Sequence, residues 1–441
     1  MSSEGFSENI PFRSAFRYWV LLGFINFGGP AGQIALMHRD LVERRRWISE
    51  PKFLHALNFC MLLPGPEAQQ LAIYIGWLLH GTLGGIVAGV CFVLPSIFVL
   101  LGLSYVYAVY GSFSMVAGLF AGIKPVIVAI VMEAALKIGK RALIRPLHLW
   151  TAVLAFLAMF ALKVPFPFIV IAAGLVGLGF ARTRPEIFSL TNTMQKEPTN
   201  TIDIVHGKPH QSTTAFHQTS PTRVVMVCLI LWLFPFLTLK FISSQTGLFA
   251  DMYLFFTQAA FVTFGGAYAV LAYVSQAAID SYGWLTHGQM MDGFALAETT
   301  PGPLIMVLQF VGFMAGWNQA GDFSQIGSAV LAALLTTYST FLPCFLFIFL
   351  GAPYIELLRG NRDLNGALST ITAAVVGVIM NLAMVLGMSL LWPHGWEREF
   401  HVIGLILFLT AFLALYWLKF NILWVLLIGA VLGLGLTLGN G

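Results

Sequence analysis

Long apolar stretches fill most of this chain and are separated by short polar loops. Nine of them come close to or exceed the ~20 residues that a helix needs to cross a bilayer. They lie at 83–110, 115–137, 148–163, 166–181, 223–241, 326–350, 366–391, 402–418 and 421–439. Continuous apolar runs of this length are typical of transmembrane helices. The pattern therefore predicts an all-α polytopic membrane protein.

Four further apolar stretches are interrupted near their middle by glycine and proline. The interruptions are Gly28-Gly29-Pro30 in 12–37, Pro64-Gly65-Pro66 in 53–79, Gly265-Gly266 in 250–278 and Pro301-Gly302-Pro303 in 293–316. Proline removes a backbone donor and stops a helix, so each stretch is predicted to be a broken or re-entrant helix. If the four are hairpins, the chain has nine spans, and if they cross the bilayer, it has 13.

The second half of the chain repeats the motifs of the first half. Phe24, Phe27, Gly28, Gly29, Trp47, Pro64, Gly65 and Pro66 recur, 237 residues later, as Phe261, Phe264, Gly265, Gly266, Trp284, Pro301, Gly302 and Pro303. After an insertion around 317–328 the offset becomes 248, where Leu94-Pro95 matches Leu342-Pro343. An apolar composition alone would not keep these motifs in register, so we predict an internal duplication.

Charge predicts that the two repeats have opposite orientations in the membrane. The loop after the first broken stretch carries Arg39, Arg44, Arg45, Arg46 and Lys52, whereas its counterpart carries Asp280 and Asp292 and no Lys or Arg. Basic loops favour the cytoplasmic side. The stretch 223–241 has no repeat partner and is the odd span that would invert the second half. We therefore predict two inverted repeats.

One polar stretch divides the chain into three parts. The residues between 183 and 222 are rich in Thr, Pro, His, Gln and Ser, which is typical of a flexible linker. The predicted organisation is a first repeat at 1–182, a cytoplasmic linker at 183–222, and an extra span with the second repeat at 223–441. The linker contains His206, His210 and His217, but no carboxylate or Cys completes a metal site.

Composition narrows the function classes. With 58% hydrophobic and only 10% charged residues, a soluble globular protein is excluded. The net charge of +4 gives no reason to expect a nucleic-acid partner, and the four cysteines form no CxxC pair, so no disulfide framework or metal site is predicted. The chain has no HExxH, P-loop, GxSxG or aspartate-rich pair. We therefore predict no enzyme activity and no cofactor, and disfavour an intramembrane enzyme that uses Glu67 or Glu298.

The broken stretches are the predicted binding site for a substrate. Where a helix restarts after Pro66 or Pro303, its first N–H groups and the positive end of its dipole face the break and favour an anion. Polar side chains beside the breaks can hydrogen-bond an oxyanion, although each is also explained as helix–helix contact. The candidate residues are Gly28, Gly29, Gln33, Pro64, Gly65, Pro66, Gln69, Gly265, Gly266, Thr299, Thr300, Pro301, Gly302 and Pro303, with Asn26, Gln70 and Thr263 beside them.

Three charged residues at membrane depth complete the candidate site. Lys124 is the only cation deep inside a predicted span, where a charge is costly; it is predicted either to face the anion path or to form an ion pair with Glu133 on the same helix. Glu67 follows the first Pro-Gly-Pro and Glu298 precedes the second, so both are candidates for proton coupling. Glu67 is equally explained as a residue of the first helical turn.

These motifs resemble a known family. FGGPAGQIALMH (27–38), LPGPEAQQLAIYIGW (63–77), FGGAYAVLAYV (264–274) and LAETTPGPLIMVLQFVGF (296–313) are similar to the signature segments of the chromate ion transporter family in its long, two-domain form. The resemblance covers nearly the whole chain. It implies a multi-pass protein of the plasma (inner) membrane that exports chromate, with sulfate as a similar anion, and so confers chromate resistance.

The expected partners are therefore a chromate- or sulfate-like oxyanion and the lipid bilayer, and a homo-oligomer is left open. A negative cell interior favours the exit of anions, so export by the potential alone and export by proton antiport both agree with the sequence. The alternative is a transporter of sulfate or another anion for which chromate is an incidental substrate.

Overall fold

A computed structural model describes residues 10–183, 220–242, 247–264, 266–352, 362–393 and 400–439. Most of the predicted linker, with its three histidines, and Gly265 lie outside the described residues. The described part of the chain is helical and contains no strand. Seven of its helices are long and apolar enough to cross a membrane. The predicted all-α polytopic membrane fold is thus confirmed, whereas the inversion of the repeats stays a prediction.

Seven α-helices form the first repeat. They are α1 (Phe12–Ile25), α2 (Gly29–His38), α3 (Glu50–Cys60), α4 (Glu67–Tyr110), α5 (Ser114–Ala142), α6 (Pro146–Phe160) and α7 (Phe166–Thr183).

After the predicted linker, the described residues contain nine further α-helices. They are α8 (Pro221–Ile242), α9 (Gly247–Val262), α10 (Ala267–Gln276), α11 (His287–Thr299), α12 (Val307–Asn318), α13 (Gln325–Gly351), α14 (Arg362–Leu391), α15 (Val402–Tyr416) and α16 (Ile422–Gly439). Each of the nine uninterrupted apolar stretches lies within or overlaps one of the helices of the two repeats.

Helix α4 is a hairpin rather than one straight rod. It continues from the restart after Pro66 into the predicted span 83–110, but His80 and Gly81 have non-helical backbone angles. A Cβ on Gly76 would contact Gly84 and Ala88 on the other arm, so the two arms lie side by side. In the second repeat, α12 and α13 pack in the same way, and the predicted insertion supplies the longer loop between them.

The helices form two bundles, each containing equivalent segments of both repeats. In one bundle α5, α6 and α7 pack against α14, and α5 also packs against α15 and α16. In the other bundle α4 packs against α1, α3, α12 and α13, and α13 packs against α8 and α9. The broken segments α10 and α11 connect the two bundles, because α10 contacts α14 and α11 contacts α5. All four predicted interruptions lie in or beside the second bundle.

Local structure recurs at equivalent positions of the repeats. A π-helical turn follows the first broken segment at Arg39–Arg44 and the third at Ala277–Ser281. Just after these turns, Arg46 and Gly283 both have left-handed backbone, with φ of 52° and 60°. These residues are 237 positions apart, which is the offset found in the sequence. A non-glycine residue rarely adopts this conformation, so the agreement supports the predicted duplication.

The basic loop of the first repeat is held by an aromatic cage. The Arg45 guanidinium lies 5.0 Å from the ring centroids of both Tyr18 and Trp47. At the position equivalent to Arg45, Tyr282 stacks with a centroid distance of 4.3 Å on Trp284, the counterpart of Trp47. A planar group therefore packs against the equivalent tryptophan in each repeat. It is the charged guanidinium of Arg45 in the first repeat and the uncharged ring of Tyr282 in the second.

Candidate functional site

The helix breaks have backbone that only glycine adopts readily. Gly28 and Gly29 have φ of 92° and 70°, and Gly266 has φ of 98°. Gly65 and Gly302, at the centres of the two Pro-Gly-Pro motifs, have φ of 125° and 114°. Residues with side chains are strained in this region. The sequence therefore fixes the breaks through glycine conformation as well as through proline.

The Pro-Gly-Pro break of the second repeat meets the first break of the first repeat. The Gly302 amide donates to the Asn26 carbonyl oxygen at 3.2 Å. The Gln33 Nε2 donates to both the Asn26 and the Gly302 carbonyl oxygens, at 2.9 and 2.6 Å. The Ser96 hydroxyl donates to the Pro301 carbonyl oxygen. We call this arrangement of five residues the first crossing.

The Pro-Gly-Pro break of the first repeat meets the second repeat in the same way. The Gly65 amide donates to the Thr263 carbonyl oxygen at 2.8 Å, and the Gln70 Nε2 donates to the Pro64 carbonyl oxygen at 2.7 Å. A Cβ on Gly65 would lie 3.1 Å from Cys344 Sγ. These five residues form the second crossing.

The two crossings are related by the offsets of the sequence repeat. Gly65 and Gly302 are 237 positions apart, as are Asn26 and Thr263, while Ser96 and Cys344 are 248 positions apart. In each crossing a Pro-Gly-Pro glycine of one repeat donates to the other repeat. The first crossing thus joins the break at Gly302 to the break at Gly28 through Asn26, and the second joins the break at Gly65 to the break at Gly266 through Thr263.

The amide side chains at the crossings donate to backbone carbonyls. The Nε2 donors of Gln33 and Gln70 and the Nδ2 of Asn26 are directed to backbone carbonyls, the last to Phe92 at 3.4 Å. The donors of Gln33 and Gln70 therefore pair carbonyls at the breaks, whereas Phe92 lies within α4. Among the residues that the structure describes, the buried oxygens of these three side chains and that of Gln69 have no hydrogen-bond partner.

The helix restarts differ between the repeats. Helix α4 begins at Glu67 directly after Pro66, as the sequence predicts. After Pro303 the chain first forms a short 3-10 turn at Leu304–Met306, and α12 follows. The Thr299 and Thr300 hydroxyls donate to the carbonyl oxygens of Leu296 and Ala297 within α11. These threonines therefore help to end the helix, and only their oxygens remain as acceptors.

Glu298 connects the two breaks of the second repeat. The Tyr268 hydroxyl, two residues after Gly266, donates to Glu298 Oε1 at 3.1 Å. Glu67, the other proton-coupling candidate, is partly buried in the first turn of α4 at the second crossing. The two carboxyl groups therefore lie next to different Pro-Gly-Pro motifs.

Lys124 forms an ion pair, but its partner is not the predicted one. Its Nζ lies 3.3 Å from Asp292 Oδ1, and Tyr107 donates to the other carboxylate oxygen of Asp292 at 2.8 Å. Glu133 pairs instead with Lys137 at 2.6 Å. The sequence placed Asp292 in a loop, whereas it lies buried within α11. Lys124 is thus about 10 Å along the α11 axis from the break at Thr299.

Lys124 lines a cleft. This cleft has a volume of about 770 Å³, and His287 and His401 also line it. A smaller cavity of about 130 Å³ lies beside it, shares His287, and is lined by Lys163 and Asp280. Within the described ranges, no three His, Cys, Asp or Glu side chains are close enough to hold a metal ion.

Several residues of the site were missed in the sequence. Ser96 and Cys344 directly follow the matched Leu-Pro pairs, so the repeat alignment could have identified them. Tyr268 lies next to the Gly265-Gly266 motif and could have been noticed as a hydroxyl beside a break. No local signal points to the pairing of Lys124 with Asp292, because 168 residues separate them.

Comparison with known proteins agrees with the arrangement of two repeats. A family model described as "Chromate transporter" matches residues 13–178 and 250–434. The chain is 30% identical to the chromate transport protein of Cupriavidus metallidurans, over 85% of this chain and 82% of that protein. It is 28% identical to the chromate transport protein of Pseudomonas aeruginosa, over 92% of each.

The probable chromate transport protein of Synechococcus elongatus is 27% identical, over 84% of this chain and 83% of that protein. No solved structure matches the chain. The family consists of transporters, which confirms the prediction that the protein is not an enzyme. The two matched segments contain all four interruptions and cover most of the chain, so the protein belongs to the chromate transporter family.

Proposed function

We propose that this protein is a secondary transporter of the plasma membrane that exports chromate and so confers chromate resistance. The substrate lies between the four helix breaks, and the residues predicted from sequence at those breaks, Gly265 included, form its surroundings. The chromate transport proteins to which the chain is similar support the choice of substrate.

The observation that carries this proposal is the pair of crossings. Irregular backbone at membrane depth persists only where protein or a polar cavity satisfies it. Broken helices that meet at a repeat interface are the common site of substrate binding in secondary transporters. Here Gly65 and Gly302 each bond to the opposite repeat, so a movement of the broken segments of one repeat against those of the other acts on both breaks at once.

The cleft at Lys124 is the proposed approach to this site. Chromate is a tetrahedral dianion, and Lys124, His287 and His401 place basic groups around the cleft. Lys124 is 27% exposed even though it is paired with Asp292. An arriving dianion therefore competes with Asp292 for the ammonium group, and α11 leads from this point to the break at Thr299.

Electrostatics favours export. With a negative interior, outward movement of one negative charge gains ~2.3 kcal/mol per 100 mV, and a dianion gains about twice that. The potential alone can therefore drive accumulation outside the cell, and proton antiport would add to it.

Everted membrane vesicles provide the test, because export appears there as uptake. We expect labelled chromate to accumulate in energised vesicles that contain the protein, and less of it once the potential is collapsed. Vesicles that contain the Gly302→Ala variant at an equal protein level are the negative control, because this variant is expected to insert into the membrane without transporting chromate.

Labelled sulfate and competition by unlabelled sulfate complete the experiment. If sulfate accumulates faster than chromate at equal concentration, the protein is a sulfate transporter with chromate as an incidental substrate. If neither anion accumulates above the control vesicles, the proposed function is wrong.

A further inference from the structure

Two breaks of the second repeat are joined through a pair of titratable side chains. Tyr268 lies in the first turn of α10, just after Gly266, and Glu298 lies in the last turn of α11, just before Pro301. Their hydrogen bond of 3.1 Å therefore lies at the proposed substrate site.

A third titratable group reaches this pair from the other bundle. Glu133 on α5 is 5% exposed, and it lies close enough to interact electrostatically with both Tyr268 and Glu298. On its other side, Glu133 Oε1 lies 2.6 Å from Nζ of Lys137, whose side chain is 65% exposed. The carboxyl group of Glu133 thus lies between the buried pair and a surface ammonium group.

The repeat symmetry does not duplicate this chain of groups. The positions that correspond to Tyr268 and Glu298 are Ala31 and Met61, and those that correspond to Glu133 and Lys137 are Asn381 and Val385. Both crossings form nonetheless. The shared architecture of the breaks therefore does not require these four side chains, and their presence at only one of the two symmetry-related places calls for a separate role.

We propose that Glu133 and Tyr268 form a proton relay between Glu298 at the breaks and the exposed end of α5 at Lys137. This inference rests on the proposed function, since it assigns the coupling ion and its route. Ionisable groups at membrane depth commonly serve as proton relays. Lys137, Lys140 and Arg141 form a basic cluster at the exposed end of the relay. Because basic residues favour the cytoplasmic side, this end of the relay faces the cytoplasm.

The proton balance of the relay is simple. Tyr268 passes its hydroxyl proton to Glu298 Oε1 and receives one from the Glu133 carboxyl group. Glu133 exchanges its proton with water at Lys137. One proton therefore moves between Glu298 and the surface, and no group is consumed. Other charged and titratable groups that face α11 are Lys124 and Tyr107, at Asp292 near the opposite end of that helix.

Reconstituted vesicles separate proton coupling from substrate exchange. Net uptake of labelled chromate is driven by an imposed pH gradient in one assay. In the second, vesicles preloaded with unlabelled chromate exchange it for labelled chromate at equal pH, which requires no net proton movement. The variants are Glu133→Gln, Glu133→Asp and Tyr268→Phe, and the matched control is Glu43→Gln, an exposed carboxylate that pairs with His38.

We expect Glu133→Gln to lose at least about tenfold of the pH-driven uptake and to keep exchange within about twofold of the unaltered protein. Tyr268→Phe, which lies at the breaks, should lose more of the pH-driven uptake than of the exchange. Glu133→Asp should restore part of the pH-driven uptake. Tyr268→Phe retains the ring and decides the question if Glu133→Gln does not fold.

Three results would overturn the relay. They are pH-driven uptake that is unchanged in both variants, equal loss of uptake and exchange at normal protein level, and an unaltered protein that exchanges chromate but ignores the pH gradient. Absence of any exchange by the unaltered protein has a different meaning, because it contradicts the proposed function itself.

Discussion

The Gly65 amide of the first repeat donates to the Thr263 carbonyl oxygen of the second repeat at 2.8 Å. The equivalent amide of the second repeat, that of Gly302, donates to the Asn26 carbonyl oxygen of the first repeat at 3.2 Å. Each half of the chain therefore supplies a donor and an acceptor to the other half. The breaks therefore form one shared structure rather than two separate kinks, and a change at a break in one repeat also affects the other repeat.

Replacing the Pro-Gly-Pro glycines should stop transport without preventing membrane insertion. In Gly302→Ala the new Cβ would contact Ser96 Oγ, and a side chain at φ of 114° adds strain of about 1–3 kcal/mol. We expect chromate uptake to fall at least about tenfold. Gly65→Ala should behave alike, because its Cβ would meet Gln70 Nε2 and Cys344.

Gly283→Asn is the matched control for these glycine variants. Gly283 also has positive φ, but nothing lies within 4 Å of its Cβ position, and its repeat counterpart is Arg46. Uptake within about twofold of the unaltered protein is expected. A loss equal to that of Gly302→Ala would show that positive φ alone, and not the crossing, explains the effect.

Removing the donor of Gln33 should weaken the first crossing. Gln33→Met keeps the volume but leaves the Asn26 and Gly302 carbonyl oxygens without this partner, at about 1–3 kcal/mol for each buried group. We expect a lower thermal unfolding temperature in detergent and a loss of uptake. Gln325→Met, which removes an exposed bond to the Trp317 carbonyl oxygen, should change neither measurement.

The ion pair of Lys124 allows its role in transport to be separated from its role in stability. Lys124→Gln should abolish chromate resistance, but it also leaves the buried Asp292 without a cation, which is destabilising. The double variant Lys124→Gln with Asp292→Asn removes both charges. We expect the double variant to regain normal protein level and to stay inactive. Recovery of resistance in it would mean that Lys124 only balances Asp292.

The orientation of the repeats can be measured with single cysteines. Ser49 and Thr286 are exposed, occupy equivalent positions, and directly precede α3 and α11. In a background without the native cysteines, we expect a membrane-impermeant reagent to label the two sites from opposite sides of intact cells. Labelling from one side would contradict inversion. Thr286→Cys also removes a helix cap, at about 1 kcal/mol, so protein level is checked first.

The sequence predicted the parts of this structure that depend on local chemistry. Continuous apolar runs identify the helices, and Pro-Gly-Pro marks breaks that form where expected because proline and left-handed glycine stop a helix in any context. The offset of 237 predicted that Gly65 and Gly302 occupy equivalent positions. It did not predict that each bonds to the opposite repeat, because periodicity within a chain says nothing about which segments pack together.

Long-range pairing accounts for most of what the sequence could not predict. Glu133 was a candidate partner for Lys124 because both lie on α5, but packing of α5 against α11 brings Asp292 closer. Gln33 was predicted as a donor to an oxyanion, and the structure places two backbone carbonyls at its Nε2. Both outcomes depend on the approach of helices that lie far apart in the chain.

Shared crossings also have a consequence for biosynthesis. The ribosome completes the first repeat long before Thr263 and Gly302 exist, so during that interval Gly65 and Asn26 lack their partners in a bilayer that offers no water to replace them. The same situation arises if the chain is cut between 183 and 222. The two fragments, when they are made in the same cell, should therefore assemble with each other. Either fragment alone should be degraded by quality-control proteases, unless a second copy of the same fragment supplies the missing hydrogen-bond partners.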